Sequence, residues 1–258
     1  MNYPPVLPVS SIRDLTLLGL DDDRVLIVAC DSTGSIGPKA HDSYAASARV
    51  VAHFALRVPL LELIAAGGRA ELIVDALSVE LDPTGIEMIE EIRRIAAPLG
   101  LGADRITGST EDNVPTVATG VGVTVIGSAA RANLRPGSSV ADDIVLCLGQ
   151  PTSAPHDEVV LDDPRMISLE TLAAVLKVDG VHDALPVGSK GLAHELSELA
   201  AVAGLVVDET VHELDVTKSG GPASCVLVSV SEGAIARLQA ILPEQLPVAM
   251  VARLRAAQ

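Results

Sequence analysis

A solid apolar block runs from Val25 to Cys30 and breaks off at Asp31. A run of that length between polar residues predicts a buried strand. The pattern then loosens into a loop holding Gly34, Gly37, Lys39, His41 and Asp42. Beyond it Val50, Val51, Phe54, Ala55 and Val58 recur at helical spacing, with Arg49, His53 and Arg57 on another stripe four residues apart. That stripe reads as a solvated or interface face, or as a cationic lining for phosphate. Pro59 is expected to end or kink the helix, and Leu60 to Ala66 to resume it with Glu62. After the Gly67-Gly68 break, Leu72 to Val79 reads as a strand. Asp82-Pro83-Thr84 reads as a helix start, Asp82 capping and Pro83 in the first turn. Ile86, Ile89 and Ala97 mark its buried side, Glu87, Glu90, Glu91, Arg93 and Arg94 its wet side, and Gly100 and Gly102 its end.

The segment Ile106 to Gly127 places a second acid-rich loop, Thr107 to Asn113, before a long β-branched strand. It reads as a polar hairpin loop or as a metal and phosphate loop. Arg135-Pro136-Gly137 reads as a linker. Ile144 to Leu148 reads as a strand, 150–164 as a polar, Pro-rich connection, and Ser168 as the cap of a helix built on Leu169, Leu172, Val175 and Leu176. Gly188-Ser189-Lys190-Gly191 opens an amphipathic helix, with Ser189 as a simple cap or the turn as an anion site. Ser219 to Pro222 precedes a strand over 223–230, Ser231 caps a helix to about Leu242, and a last helix is expected to close the chain. Residues 1–19 read as an extended arm, held by Pro4, Pro5 and Pro8, and Asp21-Asp22-Asp23 as a solvated turn.

Composition narrows the function. The chain has 258 residues, 48% of them hydrophobic, and a formal charge of −16. That is enough for a substantial core in one large or two ordinary domains. The negative charge and an aromatic content of 1% argue against nucleic-acid partners. Cys30, Cys147 and Cys225 each lie in an apolar run without a C-x-x-C pair and are expected as buried free thiols. No signal peptide pattern or long uncharged apolar run appears, so a soluble cytoplasmic protein is expected, with no membrane partner. The P-loop and G-x-G-x-x-G spacings are absent.

Strand, acid, glycine loop and lysine suit a phosphate ester and its metal: glycines admit backbone N–H groups to an anion, and carboxylates suit magnesium. Asp31 and Asp42 could share that ion, with His41 a candidate base or a plain loop histidine. Four segments carry a family resemblance. Asp31-Ser32-Thr33-Gly34 through Lys39 and Asp42 is similar to the D-G-x-G-x-K loop and later aspartate of the aminoimidazole ribonucleotide (AIR) synthetase superfamily. Leu61-Glu62 through Gly67-Gly68 resembles its N-D-x-x-x-x-G-A segment, with Leu and Glu in place of Asn and Asp. Gly108 to Pro115 resembles its G-G-E-T-x-E-x-P or G-D-T loop, and Asp183 through Leu192 the start of its second domain's glycine-led helix. Among subgroups, the combination resembles the α-ribazole kinases of cobamide salvage.

The resemblance implies an α+β, two-domain fold, with an N-terminal domain (1–135) pairing across a homodimer into a β-barrel and a C-terminal α/β sandwich domain (136–258). It implies ATP and magnesium in the cleft between domains. Asp31, Lys39 and Asp42 would be catalytic. Gly34, Gly37, Lys39, Gly108, Ser109, Thr110, Asn113, Gly188 and Lys190 would meet the nucleotide. Asp31, Glu62, Glu111 and Asp112 would hold the metal. The activity implied is phosphorylation of a small ribose-containing alcohol, most closely α-ribazole to its 5′-phosphate. The alternatives are an AIR synthetase-like enzyme acting on a phosphorylated ribonucleotide and a non-catalytic ATP-binding dimer. With so few aromatics, the acceptor's ring is expected to sit against aliphatic side chains rather than stack on Trp or Tyr.

Overall fold

The computed structural model describes residues 6–210 and 214–257. Tyr3 and the first prolines lie outside them. Two sheets organise the chain. The first has six strands in the order β1 (Val9–Ile12), β2 (Leu15–Gly19), β3 (Arg24–Gly34), β8 (Gly120–Ala130), β6 (Arg69–Leu77), β7 (Ile106–Thr110). The second has five, in the order β10 (Val181–Pro186), β12 (Val226–Val230), β9 (Ile144–Leu148), β13 (Val248–Ala256), β11 (Leu205–Thr210). A short parallel pair, β4 (Ile36–Gly37) and β5 (Tyr44–Ala45), folds the loop after β3.

Period-two burial sets the facing of the first sheet. Val25, Ile27 and Ala29 of β3, Val121, Val123 and Val125 of β8, and Ile73 and Leu77 of β6 are buried on one face. Helix α1 (Ala48–Ala65) covers that face, and α2 (Ile86–Ala96) packs beside α1. The opposite face, with Leu18, Leu26, Val28 and Ile126, is half-buried in the single chain. In the second sheet every residue of β9 and β12 is buried, because both faces are covered. One face belongs to the same apolar core as α1. The other lies under α4 (Leu192–Val202), with Cys147 and Cys225. Helix α1 also touches β10 and α3 (Leu169–Val175), so it stands between the two sheets.

Several expected elements differ. The arm is a β1–β2 hairpin: Ser10 pairs with Leu17 and Ile12 with Leu15, turning at Arg13 with φ 53°. Asp31 does not end its strand, since pairing with β8 continues to Gly34. Pro59 lies within an unbroken α1 and is buried. Asp82 is in extended conformation and makes no capping hydrogen bond, so α2 starts later, at Ile86. Ile86 is 40% exposed, and the buried side is Met88, Glu91, Ile92, Ile95 and Ala96. Gly191, not Ser189, is the N-cap of α4. The stretch after Ser231 forms a short turn and α5 (Ile235–Gln239). The closing segment is a strand, β13, paired to both β9 and β11. Cys30 is exposed on the outer sheet face, while Cys147 and Cys225 are buried.

Candidate functional site

The inward row of β3 runs Val25, Ile27, Ala29 and then Asp31, so the period that builds the core delivers a carboxylate to its edge. There α1 presents Glu62, the β1–β2 turn presents Arg13 and Asp14, and the second sheet brings Pro186 to Ser189 and Gly221 to Ala223. Together they enclose a cleft of about 250 Å³. Glu62 Oε2 is buried and has no hydrogen-bond partner among the described residues. Burial first, then the charges of Asp14, Asp31 and Glu195, push the Glu62 carboxyl up to about 8. Burial likewise raises Asp31 and, on α4, Glu195.

Arg13 closes one side of this cleft. Its guanidinium donates to both oxygens of the buried Asp183 at 3.1 and 2.6 Å and to the Ala184 carbonyl at 3.0 Å. Asp183 also accepts from the Gly137 N–H. Paired donation of this kind fixes orientation as well as distance, and it ties the β1–β2 hairpin to β10. Past Arg13 and Asp14 the cleft widens into a polar hollow of about 420 Å³ lined by Ser189, Lys190, His194, Glu195 and Glu198.

Lys39 and Asp42 line neither space. Asp42 accepts from the Lys39 N–H at 2.8 Å, the Thr119 N–H at 2.7 Å and the Thr119 hydroxyl at 2.7 Å. Burial raises its carboxyl, but these bonds outweigh burial and hold it below the usual aspartate range. A Cβ on Gly37 would sit 2.2 Å from Thr119 Oγ1, so the close approach of the two loops requires glycine. The Lys39 ammonium bonds Glu80, which also accepts from the Thr84 and Thr116 hydroxyls. Against the opposing effect of burial, Lys39 and Thr84 take the Glu80 carboxyl down to about 2. These residues form a latch joining 35–47, 78–84 and 111–119. Gly34 is exposed beside it, with open space around its Cα.

The second acid-rich loop begins in β7, which lies three strands from β3, or roughly 14 Å at ~4.8 Å per strand. Asp112 accepts from the Leu81 N–H and the Thr110 hydroxyl, and Glu111 from the Asn113 N–H. They brace their own turn and do not meet Asp31 and Glu62. Gly108 leaves room for the buried Asp75, whose Oδ1 would lie 1.9 Å from a Cβ there. Burial raises Asp75 to about 6, and Ser109, Thr110 and Arg93 lie around it. Of the expected site residues, the fold therefore gathers Asp31, Glu62 and Gly188 at the cleft and Lys190 beside it. Among the described residues, no three His, Cys, Asp or Glu side chains converge on one point within ligating reach.

Arg13, Asp14 and Glu195 join the cleft without having been expected there. The available signal was the polar Arg13-Asp14 pair between the short runs VSSI and LTLL, which is a hairpin pattern. The Arg49, His53 and Arg57 stripe also divides. Arg57 is buried and donates to the carbonyls of Ile167 and Ala223. Arg49, His53 and Arg94 converge on Glu91, which is buried rather than wet. Burial opposes ionisation of Glu91, yet Arg94, His53 and Arg49 bring it to about 2.

No family model matches the chain, and no curated protein does. Solved structures do. Thiamine-monophosphate kinase from Stenotrophomonas maltophilia K279a is 19% identical at a TM-score of 0.65, over 95% of this chain and 87% of its own. Phosphoribosylformylglycinamidine synthase II from Thermotoga maritima is 18% identical at 0.68, over 97% of this chain, which spans 44% of that enzyme. Hydrogenase maturation protein HypE in complex with ATP is 14% identical at 0.66, over 90% and 77%. At these identities the likeness is one of fold. Among the described residues no helix is long and apolar enough to cross a membrane.

Proposed function

We propose that the chain is an ATP- and magnesium-dependent kinase of a small nucleoside-like alcohol, with α-ribazole the acceptor that the sequence resemblance names. The observation that carries this reading is the buried, unpartnered Glu62 Oε2 close to Asp14 and Asp31. Carboxylates crowded in a half-enclosed cleft repel one another, and a hard divalent cation relieves that repulsion. Oxygen-only donors fit magnesium. Asp31 and Glu62 would hold it, and the ion would supply charge neutralisation to phosphate oxygens. The chain's own contribution is positioning, which is most of what phosphoryl transfer asks of a protein. The Ser189 and Lys190 N–H groups and the Lys190 ammonium, just before α4, would meet a phosphate, while the Gly191 N–H goes to the Gly188 carbonyl and the Gly188 N–H to Glu195. Lys39 and Asp42 hold the loop after β3 in place.

A thiamine-monophosphate kinase and an ATP-bound HypE, both of like fold, support this reading. The half-exposed apolar outer face of the first sheet supports a homodimer formed there, with a twofold axis as the default. The test is product analysis. ATP, magnesium and α-ribazole should yield α-ribazole 5′-phosphate and ADP, and Asp31→Asn should remove most of that turnover while leaving apo stability nearly unchanged. Full turnover in the variant, or no phosphorylated riboside from the native chain, overturns the reading. A nucleotide-binding dimer without turnover draws on the absence of three converging ligands among the described residues. It would show ATP-dependent stabilisation without ADP release.

A further inference from the structure

The chain has one Phe, two Tyr and no Trp. Tyr44, from β5, and Phe54, from α1, line the same hollow, a space of about 490 Å³. Its other walls include Ile36, Val50, Val51 and Val160. Among the described residues the one charged side chain on its lining is Glu158, which is exposed. Ser189, Gly221 and Pro222 line both this hollow and the carboxylate cleft, so the two adjoin. The strand that supplies Asp31 to the cleft supplies Ser32 and Thr33 to the hollow. Two residues of strand span about 7 Å, a distance a pentose can bridge.

We propose that the hollow of Tyr44 and Phe54 seats the planar heterocycle of a nucleoside, whose sugar extends along Ser32 and Thr33 toward Asp31. Concave, mostly apolar surfaces with a few placed polar groups are the usual form of small-ligand sites. Rings prefer aromatic neighbours in offset or edge-on contact. Hydroxyls of Thr33 and Ser153 can both donate and accept, and the Glu158 carboxylate can accept from a sugar diol, as acidic residues do in dinucleotide sites. Purely aliphatic walls were expected; the proposed seat instead holds two of the chain's three aromatic side chains, Tyr44 and Phe54. The inference rests on the kinase reading for the sugar's direction and not for the ring's seat.

The test uses the full chain with Tyr3→Phe, which leaves Tyr44 as its one tyrosine. Tyrosine emission is titrated with a benzimidazole riboside, adenosine, ATP with magnesium, and ring-free ribose, corrected for ligand absorbance with a free tyrosine derivative. The expected result is a saturable change with a ring-bearing riboside and none with ribose. Tyr44→Ser, at a half-buried position, should weaken riboside binding measured by calorimetry about tenfold, through loss of the aromatic contact, without moving the unfolding midpoint. Val160→Asp, on the exposed part of the wall, should weaken it as well. A response to ATP with silence from both ribosides keeps the seat and makes its occupant adenine. Silence from every ring-bearing probe, with phosphoryl transfer intact, overturns the seat and leaves the kinase reading standing. A saturable ring response without transfer to any riboside does the reverse.

Discussion

Glu62→Gln removes a carboxyl whose ionisation the fold opposes. In the folded chain that group titrates at about 8, against 4.5 for an ordinary glutamate. Between those values the folded state keeps a proton that the unfolded chain has released, so stability falls as pH rises through the window. Below about 4.5 both states are protonated and the contribution is whole; above about 8 it is gone. The interval, 8 − 4.5 = 3.5 units, corresponds at most to roughly 5 kcal/mol at ~1.4 kcal/mol per unit. About 3 kcal/mol of that is lost by about pH 7. Gln is neutral throughout, so the variant escapes the loss. The two proteins should have similar urea midpoints near about pH 5, with the variant more stable by roughly 2–4 kcal/mol near about pH 8. Asp75 titrates in both proteins and cancels when one profile is subtracted from the other, leaving Glu62 together with the carboxylates that act on it, Asp14, Asp31 and Glu195. Parallel profiles would refute the argument. Magnesium with ATP should reverse the ranking, since a ligand that binds through ionised Glu62 stabilises the native chain by mass action.

Arg13→Met leaves the buried Asp183 without its cation and should cost about 3–5 kcal/mol in urea unfolding, with much of that recovered by adding Asp183→Leu. Asp42→Ala strips the latch of an acceptor for three donors; each charged bond is worth about 1.5–3 kcal/mol at best. The urea midpoint should therefore fall, with proteolysis increasing between 35 and 47. Arg57→Met, which unpairs the buried carbonyls of Ile167 and Ala223, should cost about 2–4 kcal/mol by the same measurement. Val28→Glu on the outer face of the first sheet should convert a dimer to a monomer by light scattering without lowering the far-UV helix and strand signal. A native chain that is already monomeric at micromolar concentration counts against the dimer.

Elements with dense, local patterns could be read from the sequence. The block Val25 to Cys30, the helical spacing of Val51, Phe54 and Ala55, and the all-apolar runs of β9 and β12 each have one reasonable solution. Elements decided by partners could not. Val248–Ala256 carries Ala, Met, Leu and Arg, which are good helix formers, but β9 and β11 offer backbone partners on both sides, and pairing overrides propensity. Glu91 looks wet among Glu87, Glu90 and Arg94, and its burial depends on Arg49 and His53 of α1, some forty residues away in sequence. The site shows the same division. Asp31 and Glu62 stand out against apolar neighbours, so both could be singled out. Asp14 looked like part of a featureless arm, and Lys39 and Asp42 carried a phosphate-loop pattern while their hydrogen bonds serve the latch.

The place of α1 has a consequence for how the chain comes apart. One side of this helix covers the first sheet, and it also meets α3 and β10, within an apolar core that includes Ile144, Leu146, Val226 and Val228 of the second sheet. Severing the chain near residue 135 would keep α1 with its own sheet but expose the surface it shares with the other, and would leave the second sheet bare on that side. Neither fragment should melt as the whole does. The intact protein is therefore expected to unfold in a single cooperative transition, with hydrogen exchange slowest along α1 and equally slow in β3 and β9.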